Sequence, residues 1–162
     1  MGQIIKFACL TGLRAAEVVE SVRLINDKEA FQKYYDPEQM ALLHWKMPQF
    51  LRATKKAFLS FITPQMLEPV KILKNEKGGV LPTYSSIRHA CNRRGIACNL
   101  HLCRKVFASW LHEEAAIPDI TIDMLQGRCP QSVLAQHYIV PNASLRDRVL
   151  DAVTRLKKAI EQ

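Results

Sequence analysis

The chain is expected to fold as a mainly α protein with a small antiparallel β-sheet near its front, an α+β arrangement. Three observations predict this. Apolar residues recur at helical spacing in several segments that proline or glycine separates. One stretch, 41–62, instead holds short aromatic and apolar runs of strand length. The 162 residues suffice for one compact domain with its own core, and we expect a single domain over 1–162.

The first segment, IIKFACLTG, is apolar and ends at Gly12. A helix is expected from Leu13 to about Ile25, with Leu13, Ala16, Val19 and Val22 on its apolar side. ALLHWKM and KAFLSFIT, separated by Pro48 and the basic RATKK, read as two or three strands with RATKK in or beside a hairpin. Pro64 suits the first turn of a helix running to about Leu73, and NEKGG at 75–79 is a loop. Thr83 and Ser85 can cap a helix that stops at Gly95. Leu100 to Ala115 reads as an amphipathic helix with Leu102, Val106, Trp110 and Leu111 on its apolar side. Pro118 opens another helix through Leu125, ended by Gly127. A short helix from Pro130 leads to Tyr138, and Pro141 and Asn142 break it. The last helix repeats Leu145, Val149, Val153, Leu156 and Ile160 on one face.

Lysine and arginine number 23 against 15 acids, a formal charge of +8. Such an excess points to a polyanionic partner, nucleic acid foremost. No apolar run reaches the roughly 18 residues a membrane span needs, and the start is not arranged as a secretory signal. The five cysteines form no CxxC pair and are odd in number, which disfavours a disulfide framework or zinc site. Cys9 and Cys103 read as small core residues, and the usage fits a reducing, intracellular compartment.

The residues able to carry chemistry are individually ordinary. Tyr138 is a phenol, a poor nucleophile unless cations favour its anion; a half-buried tyrosine at a helix end is the plain alternative, as for its neighbour His137. His101 and Arg104, at i and i+3, share a helix face that we expect to lie opposite or lateral to the apolar stripe. They suit a phosphate, arginine for charge and imidazole for a proton. Arg128 follows a helix-ending glycine. Arg14 opens a helix, where its charge adds to the helix's own positive end, and Glu17 can hold its guanidinium. Lys55 and Lys56 sit in the basic turn, able to reach a DNA groove or protonate a leaving alkoxide. The competing reading for each is a solvated or structural side chain.

Their order is less ordinary. TGLRAAE, then the RATKK lysines, HLCRKVFAS, QGR and QHY together resemble the catalytic domain of tyrosine recombinases, the phage integrase family, with the nearest likeness in the archaeal fusellovirus-type integrases. The likeness runs from Thr11 through the last helix. It implies the tyrosine recombinase catalytic fold and site-specific DNA recombination or viral genome integration. DNA would be cleaved and rejoined through a 3′-phosphotyrosyl link, without cofactor or metal. It implies Tyr138 as nucleophile, Arg14 and Arg104 as phosphate clamps, and His101 as general acid/base. Lys55 would be the hairpin lysine, with Lys56 the neighbouring alternative, and Arg128 a further phosphate donor. Members of that family carry an N-terminal DNA-binding domain, so the chain reads as a catalytic fragment or a product split from its N-terminal half. The implied partners are double-stranded DNA attachment sites and further copies of the chain in a dimer or tetramer, with no membrane. The implied setting is the host cytoplasm, on DNA. For the last helix, 144–162, two readings stay open: packing on its own domain, or exchange with a neighbouring protomer. The competing functions are DNA relaxation of the type IB topoisomerase kind and a basic DNA-binding module without catalysis.

Overall fold

A computed structural model of the chain describes residues 2–52, 55–71, 83–93, 95, 100–128 and 143–162. Three helices come first: α1 (Gly2–Thr11), α2 (Ala15–Ile25) and α3 (Lys28–Tyr34). Short strands follow. β1 (Tyr35–Asp36), β2 (Ala41–Leu42) and β5 (Ser60–Phe61) form one antiparallel sheet in the order β1-β2-β5. β3 (Leu51–Arg52) and β4 (Lys55–Lys56) pair as a separate antiparallel hairpin, Leu51 opposite Lys56 and Arg52 opposite Lys55. Two 3₁₀ turns, His44–Lys46 and Pro48–Phe50, bridge the two sheets. The remaining helices are α4 (Pro64–Lys71), α5 (Tyr84–Asn92), α6 (Leu100–Ala115), α7 (Asp119–Leu125) and α8 (Ala143–Glu161). The mainly helical α+β expectation therefore holds at the level of architecture.

Helix α6 is the central strut, packed between α1 and α8. Its buried residues are Leu100, Cys103, Arg104, Phe107 and Leu111, a run at i, i+3, i+4, i+7 and i+11 that defines one helical stripe. This corrects the expected apolar side. Leu102 is 54% and Val106 37% exposed, while Trp110 is partly buried and donates its indole N–H to the Ala152 carbonyl at 2.8 Å. The helix carries two apolar stripes side by side, and the one that faces the core is the one with an arginine in it. The expectation that His101 and Arg104 lie on a face opposite or lateral to the apolar stripe fails for Arg104, which is buried within the core-facing stripe, while His101 is exposed.

Smaller departures have local causes. α2 starts at Ala15 rather than Leu13, because Gly12 takes φ +62° and turns the chain before the helix begins. Its buried side runs through Val18, Val22 and Ile25, leaving Ala16 exposed. Thr83 caps α5 by accepting from the Ser86 N–H, and Ser86 Oγ accepts from the Thr83 N–H in return; Ser85 has no part in the cap. The loop expected at 75–79, residues 72–73 of the helix expected to run to about Leu73, and the helix expected between Pro130 and Tyr138 lie outside the described residues.

The apolar side of α8, built on Val149, Ala152, Val153 and Leu156, packs on α1 and α6 of the same chain. Arg148 donates to the Ala115 and Ala116 carbonyls, and Arg155 to that of Glu114. These cations serve the otherwise unpaired carbonyl end of α6 and complement its negative pole. Lys6 of α1 meets Glu161 of α8 at 3.4 Å.

Beneath the three-stranded sheet lies a chain of buried polar groups. Ser21 Oγ meets Tyr34 Oη at 2.8 Å, Tyr34 Oη meets His44 Nδ1 at 2.7 Å, and His44 Nε2 meets Ser60 Oγ at 2.8 Å. All four are buried. Burial holds the His44 imidazole down to a pKa of about 3 and pushes the Tyr34 phenol well up, so both stay neutral across the physiological range. Among the described residues no helix is long and apolar enough to cross a membrane.

Candidate functional site: an arginine cluster closed by two glycine turns

Two tight turns position the site. The first joins α1 to α2. Gly12 donates its N–H to the Ala8 carbonyl at 3.0 Å, and a Cβ on it would overlap the Phe107 ring of α6. The second ends α7. The Gly127 N–H reaches the Met124 carbonyl at 3.0 Å and the Arg128 N–H the Asp123 carbonyl at 2.7 Å, with Gly127 at φ +66°. This is the paired bonding of a glycine-terminated helix. A Cβ on Gly127 would collide with the Lys56 carbonyl oxygen and press on Ala57 Cα. Glycine is required there twice over, for its dihedral and for the hairpin backbone laid against it.

Arg104 rises from the buried stripe of α6 into the space between these turns. Its Nη1 donates to the Gly12 carbonyl at 2.7 Å and its Nη2 to the Gln126 carbonyl at 3.1 Å. Arg14, the residue before α2, donates from Nη2 to the Gly127 carbonyl at 3.1 Å. Glu17 grips it at both ends: one carboxylate oxygen accepts from the Arg14 backbone N–H and the other from its Nη1, each at 2.8 Å. The expected role of Glu17 is thus met, and Glu17 is itself buried. Arg128 pairs with Asp123 at 2.9 Å and stands exposed at the rim.

The electrostatics are uneven. Arg14 and Arg128 each have a carboxylate partner. The described hydrogen bonds of Arg104 go to neutral carbonyls. Burial and then the nearby Arg14 draw its pKa down to about 10; Arg128 adds to that, and Glu17 and Asp123 oppose it. It remains a cation at neutral pH, one removed from water among two others. Three guanidinium groups facing two carboxylates leave a local excess of positive charge that an anion would neutralise. Guanidinium geometry suits an oxyanion with several acceptor oxygens. Of the five N–H groups of Arg104, the two bonds above occupy two.

The structure therefore brings together Arg14, Glu17, Arg104 and Arg128, with the backbone of Lys56 against Gly127. His101 lies one turn before Arg104 on the exposed side of α6. Lys55 is placed as backbone, opposite Arg52 in the hairpin. Tyr138 and His137 lie outside the described residues. Three participants were not singled out from sequence: Gly12, Asp123 and Gln126. Gln126 precedes Gly127 in the QGR run, and Asp123 lies five residues before Arg128, spacings that become informative once the helix end between them is known. Among the described residues no three His, Cys, Asp or Glu side chains are grouped to hold a metal ion. No protein-family model, curated protein or solved structure matches the chain.

Proposed function

We propose that the chain is a DNA strand transferase of the tyrosine recombinase type, with the arginine cluster as its scissile-phosphate site. The observation that carries this reading is convergence. Arg14, Arg104 and Arg128 lie on three different elements, and the Gly12 and Gly127 turns, with the Lys56 backbone, draw them together. These are the positions at which the motif order TGLR, KK, HxxR and QGR puts its basic residues. Unrelated surface arginines have no reason to share one pair of turns. The formal charge of +8 suits a phosphate backbone as partner.

In this reading Arg14 and Arg104 grip the non-bridging oxygens of one DNA phosphate. The Tyr138 oxygen attacks phosphorus as the bond to the 5′ oxygen breaks. The phenolic proton leaves to a base, His101 being placed for that role by the resemblance. The departing 5′ oxygen takes a proton from Lys55 or Lys56. A 3′-phosphotyrosyl bond retains the energy of the broken ester, so a 5′-hydroxyl from another strand can reverse the step. Arg128 supplies a donor to the oxygen that gains charge in the transition state, an effect typically worth about 10²–10³ in rate.

The test is a covalent adduct. Incubated with a nicked duplex bearing its attachment sequence, the protein should form a denaturation-resistant protein–DNA species, and Tyr138→Phe should form none. An adduct that persists in the Phe variant overturns the role of Tyr138. Tight binding with no adduct from the unaltered chain means a non-catalytic DNA-binding module, and adducts on any duplex mean topoisomerase-like relaxation.

A further inference from the structure

We infer that Gln126 is the positioning residue for Arg104, holding that guanidinium at a fixed angle toward the phosphate. The inference rests on the phosphate-site reading above. Gln126 is fully buried and touches Arg104 at both of its ends. Its side-chain Nε2 donates to the Arg104 main-chain carbonyl at 2.7 Å, and its own main-chain carbonyl accepts from Arg104 Nη2 at 3.1 Å. One residue thus ties the end of α7 to the backbone of α6 and, through that tie, keeps its carbonyl against the guanidinium. An arginine side chain has several rotatable bonds and loses much rotamer freedom when ordered. Fixing it before substrate arrives removes that cost from the binding step. Gly12 holds the other Nη from the opposite side, so the plane of the group is defined by two carbonyls on separate turns.

A second observation sets Gln126 apart from an ordinary core glutamine. Its Oε1 is buried and has no hydrogen-bond partner among the described residues. A buried acceptor left unpaired is unfavourable, and a side chain kept only for stability would do better as an apolar residue of the same length. Among the described residues the one bond the amide makes is the one its nitrogen donates to Arg104.

Gln126→Met is the variant that separates position from fold. It keeps length and volume, keeps the main-chain carbonyl, removes the Nε2 donor and removes the unpaired oxygen, so its melting temperature should stay close to that of the unaltered chain. Nitrogen-15 spectra of the full chain should show the Arg104 guanidinium N–H signals separate and slowly exchanging, assigned by their loss in Arg104→Lys. In Gln126→Met they should merge, single-turnover strand cleavage should fall at least tenfold, and DNA affinity should change less than threefold. Cleavage within twofold of the unaltered chain overturns the inference, whatever the spectrum shows. If the unaltered chain forms no adduct, the strand-transferase reading falls, and the spectrum alone decides whether Gln126 holds Arg104: separate signals retained in the Met variant overturn it. Should the Met variant melt too low to assay, Gln126→Asn, whose amide is one methylene too short to reach α6, carries the same expectations.

Discussion

Among the described residues, two groups of buried polar side chains are built on opposite principles. The relay Ser21–Tyr34–His44–Ser60 is neutral, and each link in it is closed by a hydrogen bond of 2.7 to 2.8 Å. The cluster around Arg104 is charged, crowded by like charges, and includes a Gln126 oxygen with no hydrogen-bond partner among the described residues. A closed neutral network fixes one packing and asks for nothing further. An open cationic one is held in place by the rest of the fold and favours whatever anion completes it. The difference separates residues that maintain the structure from residues the structure maintains.

The contrast can be broken most severely at Arg104. Arg104→Met removes two carbonyl bonds but also a desolvated cation repelled by Arg14 and Arg128, so stability should stay within about 1 kcal/mol of the unaltered chain, since each net bond contributes only ~1 kcal/mol. Cleavage should nevertheless fall by about 10² or more, the typical loss on removing a preorganised donor. Urea melts alongside adduct yields check both halves; a large stability loss would place Arg104 with the relay instead.

The glycine turns sharpen the comparison next. Gly95 and Gly127 share a φ of +66°, yet a Cβ at Gly95 meets nothing within 4 Å, whereas at Gly127 it meets the Lys56 carbonyl. Gly95→Ala should cost about 1 kcal/mol, the strain of the left-handed region alone. Gly127→Ala should cost ~1–3 kcal/mol more, the range for forcing atoms into a filled site, and should lower adduct yield by displacing the hairpin. Equal denaturation midpoints for the two variants would show that the hairpin does not press on the turn.

The relay should show its own signature, a pH slope that is silent at neutral pH. The folded-state pKa of His44, about 3, lies below its ordinary value of about 6.5. The unfolded chain therefore takes up a proton that the folded chain refuses. The stability due to this difference is fully present above pH 6.5 and is lost as pH falls toward 3, by up to about 1.4 kcal/mol per pH unit. His44→Gln should reduce the slope of stability against pH in that window. An unchanged slope would mean that His44 titrates normally in the fold.

Much of this was legible beforehand, and the gaps have a common origin. Helix α6 was placed to the residue, because its period is strong and Ala115 is followed by a break. Its facing was misread because Arg104 was counted as polar: hydropathy sees the charge, not the two carbonyls that receive it. The order of Arg14, Arg104 and Arg128 could be read along the chain, and the Glu17 contact follows from three-residue helical spacing. The meeting of Gly127 with Lys56 could not, since nothing local links a helix end to a hairpin some 70 residues earlier. Gln126 was hidden for the same reason, its partner being a main-chain carbonyl 22 residues away.

The contact between Lys6 and Glu161 has a consequence for how the chain can be rewired. Helices α1 and α8 pack side by side and Glu161 lies against α1, so a short flexible linker from Gln162 to Gly2 should close residues 2–162 into a ring without disturbing either helix. New termini could then be opened in the exposed turn at 37–40, making a circular permutant. Arg14, Arg104 and Arg128 belong neither to the joined residues nor to the opened turn, and the same constellation would form from a chain read in a different order.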